Sequence, residues 1–218
     1  MNASFADLKE QYLRAQLAGD RREAVRLVVE EGLAKRGASV VELQSHVIGA
    51  AQDEIGRLWQ MNLVTIAQEH MATAISHLSL AALFERAKVA KPVDKKLVIA
   101  CVEGELHDLP ARLVSDLLEI HGFDVRFLGA NVPHDDLAAM VREERPALIG
   151  LSVTMSFNIP SLREAVSRVR VITDAPIFVG GHALSWSPNI ETELGLHPAG
   201  TTPDEVLATA RRLTGLLT

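Results

Sequence analysis

The chain has few of the residues that mark several large classes of protein. Its single cysteine, Cys101, excludes an internal disulfide framework and a cluster of thiolate metal ligands. No run approaches 18 consecutive apolar residues, and no charged segment followed by an apolar one opens the sequence. We therefore expect a cytoplasmic protein that neither crosses a membrane nor carries an export signal.

Positive charge and phosphate-binding loops are also missing. The formal net charge is −6 at pH 7, so we expect no direct nucleic-acid partner. The loop after the first predicted strand lacks Gly-x-Gly-x-x-Gly and also lacks a P-loop, which disfavours a nucleotide-binding fold. Ser152 stands where a phospho-acceptor receiver domain would need an aspartate, at the end of the third predicted strand.

The first 88 residues show helical periodicity and no strand-like alternation, which predicts a four-helix bundle over residues 1–88. Predicted helix starts are Ser4, Asp20, Ser39 and Thr65, and the last three fit capping boxes. A di-iron bundle would need Glu-x-x-His pairs, which are absent here. The predicted core stripes are Leu43, Val47, Ala51, Ile55 and Leu58 on the third helix, and Ile66, His70, Ala74, His77, Ala81 and Phe84 on the fourth.

Residues 89–95 lose this period and are predicted to be a linker. In residues 96–218, apolar runs alternate with amphipathic segments, which predicts an α/β domain with a Rossmann-like, doubly wound parallel sheet. Proline is favoured in the first turn of a helix, and three prolines fall at the predicted helix starts: Pro110, Pro160 and Pro203. The predicted strands are 96–102, 124–129, 147–153, 176–180 and a weaker 196–199; the predicted helices lie near 110–121, 134–144, 160–172 and 203–216.

The most informative stretch is Glu105-Leu-His107-Asp-Leu-Pro110, which directly follows the first predicted strand. Open α/β sheets bind ligands at this strand end. Glu105 could hold one ring nitrogen of His107 and leave the other for a metal, as metal-ligating histidines require. The alternative is a solvated loop with an incidental histidine.

Together with Ser152-x-Thr154 and Gly180-Gly181, this stretch resembles the cobalamin-binding module, whose signature is Asp/Glu-x-His-x-x-Gly, Ser-x-Leu/Thr and Gly-Gly. The resemblance implies that His107 is the lower axial ligand of cobalt and that Glu105 holds it. Pro110 departs from the usual glycine. The other residues implied to contact the cofactor or its nucleotide tail are Asp108, Leu109, Ser152, Thr154, Gly180, Gly181 and His182.

In the helical part, Trp59 is followed by nine residues and then Glu69-His70, a spacing similar to the cap of CarH-type adenosylcobalamin photoreceptors. The resemblance implies that Trp59 forms an apolar wall for an adenosyl group and that Glu69 and His70 bind it by hydrogen bonds. The alternative places Trp59 and His70 in an ordinary bundle core. CarH-type regulators carry a helix-turn-helix DNA-binding domain, whereas residues 1–38 here are predicted to be the opening helices of the bundle. Gln60 stands where those regulators have a second cobalt-binding histidine.

These resemblances predict a light sensor that binds adenosylcobalamin with His107 on cobalt and signals by a change of domain position or oligomer. We expect a homo-oligomer and an unidentified downstream protein partner, and no catalytic residue stands out. The chain also resembles photocobilins, which implies biliverdin as a second chromophore that no motif here requires. The alternatives are a corrinoid protein that carries a methyl group for a methyltransferase, and a B12 storage or delivery protein.

Overall fold

A computed structural model describes residues 3–216 of the chain. The protein divides into two compact units, with the boundary between Lys88 and Val89. Within residues 3–216, no helix combines the length and apolar character needed to cross a membrane.

The first unit consists of four helices. Two of them change from α to the wider π winding along their length. The helices are α1, Ala3–Leu17; α2, Arg21–Arg26 continuing as Leu27–Lys35; α3, Val40–Leu43 continuing as Gln44–Gly49 and Ala50–Gln60; and α4, Ile66–Phe84.

The capping residues explain where these helices begin. Ser39 and Thr65 form complete capping boxes with Glu42 and Gln68, as predicted. At α2 the box is only half formed. Asp20 accepts from the backbone N–H of Glu23, but the Glu23 carboxylate binds the Arg26 guanidinium instead of reaching back.

The core stripe predicted for α3 is confirmed over most of its length, since every member except the half-buried Leu58 is buried. The stripe predicted for α4 is wrong. Ile66, His70, Ala74 and Ala81 are exposed, because a different face of the helix, which includes two serines, packs into the core. The buried face of α4 consists of Ala72, Ile75, Ser76, Ser79, Leu80 and Leu83.

The second unit is a five-stranded, wholly parallel sheet in the order β2-β1-β3-β4-β5, so the predicted α/β fold is confirmed. This order reverses direction between β1 and β3, the place where such sheets open a ligand crevice. The strands are β1, Lys96–Cys101; β2, Asp124–Gly129; β3, Leu148–Ser152; β4, Ile177–Gly180; and β5, His197–Pro198.

Helices connect these strands, and prolines stand in the first turns of three of them, as predicted. One short helix, α8, was not predicted. The helices are α5, Leu109–Ile120; α6, His134–Glu144; α7, Ile159–Arg170; α8, Ile190–Leu194; and α9, Pro203–Leu213.

The segment 89–95 lies on the second unit and is not a free linker. The backbone N–H of Ala90 donates to the Ile120 carbonyl, and the N–H of Val93 donates to the Gly122 carbonyl. These bonds fix the chain where it enters β1.

Candidate functional site

The predicted site residues of the second unit meet at the carboxyl edge of the sheet. Cys101, Ser152 and Gly180 end β1, β3 and β4, and they are paired in register across the three strands. Because the strands are parallel, the loops that follow them share this edge. The His107 loop follows β1, and Thr154 follows β3.

Glu105 and His107 form the short contact that the sequence predicts. The Nδ1 atom of His107 lies 2.6 Å from Glu105 Oε1, and the backbone N–H of His107 donates to the same oxygen at 3.0 Å. The Glu105 side chain is fully buried, whereas that of His107 is 44% exposed. A buried carboxylate therefore orients a ring that reaches the surface.

The second carboxylate oxygen of Glu105 is bound from the β3 side. It accepts hydrogen bonds from the backbone N–H groups of Thr154 and Met155, each at 2.8 Å, and from Asn158 Nδ2 at 3.0 Å. Burial alone would raise the pKa of Glu105, but these hydrogen bonds together with that from His107 outweigh it and lower the pKa to about 2. Since the Glu105 carboxylate stays ionised, Nδ1 of His107 is protonated and donates the hydrogen bond to Glu105.

Asn158 was missed in the sequence analysis. It is buried and lies 53 residues from Glu105 along the chain. The one sequence signal was a polar residue directly before the Ile159-Pro160 helix start, which is too common to identify a partner.

We expect Glu105 to make the apoprotein acid-sensitive. Its pKa is 4.5 ordinarily and about 2 in the fold, so its stabilising contribution is complete above pH 4.5 and is lost as the pH falls towards about 2. Urea unfolding measures this loss at about pH 6 and about pH 3 in the wild type and in Glu105→Gln. Between these pH values, the free energy of unfolding should fall by about 2 kcal/mol more in the wild type than in the variant. Parallel pH dependence in the two proteins would contradict this assignment.

Ser152 and Thr154 lie beside this network. Ser152 is buried next to Cys101, whose pKa is raised to about 12 by burial and by the carboxylates of Asp108 and Glu105. Cys101 is therefore a packed, unreactive thiol. The Thr154 hydroxyl is buried and has no hydrogen-bond partner within residues 3–216. A buried polar atom without a partner is costly, and a bound ligand could satisfy it.

Gly180 ends β4 and Gly181 follows it, and the structure gives Gly181 a packing role that the sequence did not indicate. Its φ is +116°, and a Cβ there would lie 2.0 Å from the carbonyl oxygen of Val153. Glycine is therefore required at position 181 because two backbone segments of the protein pack together. Cofactor contact by Gly180 and Gly181 stays a prediction. Gly180 has room for a Cβ at ordinary contact distance, and His182 is exposed on the following turn.

Asp108 and Leu109 occupy different environments although they are adjacent. Asp108 precedes the first turn of α5, and a Cβ added at Gly129 would lie 3.9 Å from its carboxylate. Leu109 is buried and packs in the core, so its contribution is to anchor the loop. Cofactor contact by either residue stays a prediction.

Three exposed apolar side chains near this edge were not predicted. Leu106 neighbours His107, and Phe157 and Trp186 lie on short turns that pack against each other after β3 and β4. Each is 70–72% exposed. Large exposed apolar side chains on neighbouring turns, such as Phe157 and Trp186, are typical of a binding surface. The sequence signal was a tryptophan shortly after Gly-Gly-His, whose exposure only the fold decides.

No three His, Cys, Asp or Glu side chains are grouped as a metal site in the part of the chain that the structure describes. A site with His107 as a single protein ligand suits a metal whose remaining ligands come from a macrocycle.

In the first unit, Trp59 is half-buried near the end of α3, and Glu69 and His70 lie in the first turns of α4. His70 Nδ1 is 2.6 Å from Glu69 Oε2, with the His70 side chain 74% exposed. The other Glu69 oxygen accepts from Thr73 at 2.8 Å and from Gln52 at 3.4 Å. The carboxylate is therefore held in place at this end of the unit, and His70 is not a core residue.

Relatives in sequence and structure share both units. The chain is 27% identical over 146 residues to the HTH-type transcriptional repressor CarH of Myxococcus xanthus, covering 66% of this chain and 48% of CarH. It is 26% identical over 182 residues to dimethylamine corrinoid protein 1 of Methanosarcina acetivorans, covering 79% and 84%. This chain thus spans about half the length of CarH.

The fold is similar to that of the monomethylamine corrinoid protein of Methanosarcina barkeri, with a TM-score of 0.80, 16% identity, and coverage of 95% of this chain and 99% of that one. Two family models, each described as a B12 binding domain, match residues 8–83 and 95–208. The second match covers more than half of the chain, so this protein belongs to the B12-binding domain family and has a corrinoid cofactor.

Proposed function

We propose that Nε2 of His107 is the lower axial ligand of the corrinoid cobalt. The observation that carries this proposal is the 2.6 Å contact between His107 Nδ1 and the buried, ionised Glu105. With Nδ1 protonated and held, Nε2 is the basic nitrogen of the ring, and a neighbouring carboxylate increases its basicity. Five hydrogen-bond contacts to Glu105 fix the orientation of the ring before cofactor binds.

The surrounding residues fit the same cofactor. The buried hydroxyl of Thr154 lacks a partner, which suits a polar group of the nucleotide tail. Leu106, Phe157 and Trp186 offer apolar surface for the corrin ring or its side chains. When bound, the corrinoid supplies a cobalt–carbon bond that light or a nucleophile can break.

On the upper side, we propose that Trp59, Glu69 and His70 hold an adenosyl group and that the protein is a light sensor. The indole gives an apolar wall, and the fixed carboxylate can accept hydrogen bonds from ribose hydroxyls. Release of about 100–150 Å² of apolar contact is worth about 2.5–4 kcal/mol. Since near-complete switching needs about 5.5 kcal/mol, the polar contacts of Glu69 and His70 must supply the remainder.

A methyl carrier is the second candidate. This candidate is supported by the match to the dimethylamine corrinoid protein, which spans both units and 84% of that protein's length. The match to CarH covers 48% of the length of CarH. A methyl group would need only a small apolar lid, so Glu69 and His70 would contribute nothing to its binding.

Replacing Trp59 by alanine separates the two candidates. A sensor should bind adenosylcobalamin more tightly than methylcobalamin, and Trp59→Ala should reduce that preference about tenfold or more because the apolar wall is lost. Titration of apoprotein with each cobalamin in the dark, followed by absorbance, measures the ratio. Trp59→Phe, which keeps a flat ring, is the matched control and should retain most of the preference. Equal affinities in the wild type would favour the methyl carrier.

Two measurements on the natively pigmented protein complete the test. The absorption spectrum distinguishes a corrinoid alone from a corrinoid with a bilin such as biliverdin. Light scattering before and after illumination shows whether mass changes; an unchanged mass together with an unchanged hydrogen-exchange pattern of the helical unit would remove the signalling proposal.

A further inference from the structure

An open groove on the first unit is lined by residues of α2 and of the C-terminal half of α4 and the turn after it, and neither Trp59 nor Glu69 lines it. Its apolar lining residues, which we call the floor, are Val25, Val29 and Leu78. Leu78 is 46% exposed, whereas Ile75, Leu80 and Leu83 of the same helix are buried. This surface is therefore not used in the core of the unit.

The rim of the groove is strongly basic. Four arginines line it, at positions 21, 22, 26 and 86, against a single acidic residue, Glu30. Arg26 is neutralised within the unit by Glu23 and Glu31, at 2.7 and 2.6 Å. Arg21 and Arg22, by contrast, have no ion-pair partner among residues 3–216.

The two arginines at positions 21 and 22 do not stabilise the helix that carries them. They are the first residues of α2, where the helix dipole favours acidic side chains and disfavours cations. Two exposed cations at this position therefore weaken the helix that carries them. Both side chains are therefore available to an anionic group outside the unit.

We propose that this groove is the docking site for an acidic amphipathic helix of a partner protein. Valine and leucine at the floor would receive the apolar side of the helix, and the arginines would pair with carboxylates on its flanks. A nucleic-acid backbone would satisfy the arginines but would leave the apolar floor uncovered. The combination of an apolar floor with a cationic rim therefore favours a protein helix.

The test uses the full-length, cobalamin-loaded protein and a fluorescein-labelled helical peptide with leucines at i, i+4 and i+7 and glutamates on both flanks. Arg21→Glu with Arg22→Glu should weaken binding about tenfold or more at low salt, and Leu78→Ser should weaken it about fivefold. The charge reversal places acidic residues in the first turn of α2 and should not impair folding. Arg142→Glu with Arg212→Glu makes the same charge change on exposed arginines of the second unit and should leave binding within about twofold.

Several outcomes would overturn the proposal. The first two are absence of saturable peptide binding and an equal loss of peptide affinity in the Arg142→Glu, Arg212→Glu control. The third is tighter binding of a labelled DNA duplex than of the peptide. The fourth is dissociation of an oligomer by the groove variants, which would make the occupant a second copy of this chain. The corrinoid absorbance of every variant should match the wild type, so failure here is distinguishable from failure of the cobalamin proposals.

Discussion

Replacing His107 by alanine should weaken corrinoid binding by more than about 100-fold, because loss of residues that merely support a metal ligand already costs about 10–100-fold. Glu105 could not take over as the ligand, since it is buried and bound on both oxygens. Titration of apoprotein measures the affinity, and the electron paramagnetic resonance spectrum of the reduced cobalt reports whether a nitrogen is bound below the metal.

His182→Ala is the control for the nitrogen signal only, because His182 is itself predicted to contact the nucleotide tail. His182 is exposed on the turn after Gly181, at the same edge of the sheet, and its loss should leave the nitrogen signal intact. If His107→Ala kept the wild-type nitrogen signal, or if the wild type bound no cobalamin, the lower-ligand assignment would be wrong.

Replacing Gly181 by alanine should destabilise the second unit by about 3–5 kcal/mol, the range of severe backbone and packing defects. The new Cβ would lie 2.0 Å from the Val153 carbonyl oxygen and 2.5 Å from its carbon, both of which are backbone atoms at the end of β3. Neither can move without breaking the sheet edge that holds Thr154 and Met155 against Glu105. Urea unfolding of the apoprotein gives the free-energy difference.

Gly195→Ala provides the comparison for that change. Gly195 also has a positive φ, +62°, but no atom lies within 4 Å of its added Cβ. Its replacement should cost only about 1 kcal/mol, the ordinary penalty for alanine in the left-handed region. Equal losses for the two variants would show that φ alone, and not the clash with Val153, makes glycine necessary at position 181.

The elements of the fold were predictable because their signals are local. Capping residues such as Ser39 and Thr65, and prolines such as Pro110, act within one helical turn, so short stretches of sequence identify them. The buried strands were visible as apolar runs for the same reason. The buried face of α4 was not predicted, because that helix is rich in small and apolar residues all round and its period alone does not select Ser76 and Ser79 over Ala74 and Ala81.

The sequence by itself determined the helical first unit, the parallel sheet of the second and the Glu105–His107 pair, since each depends on residues a few positions apart. Only the tertiary structure decided that Asn158 binds the same carboxylate, that Gly181 is required by Val153, and that Leu78 and the arginines at positions 21 and 22 form one groove. Those relations join residues distant in the chain, and they arise from how strands and helices pack, which no local pattern records.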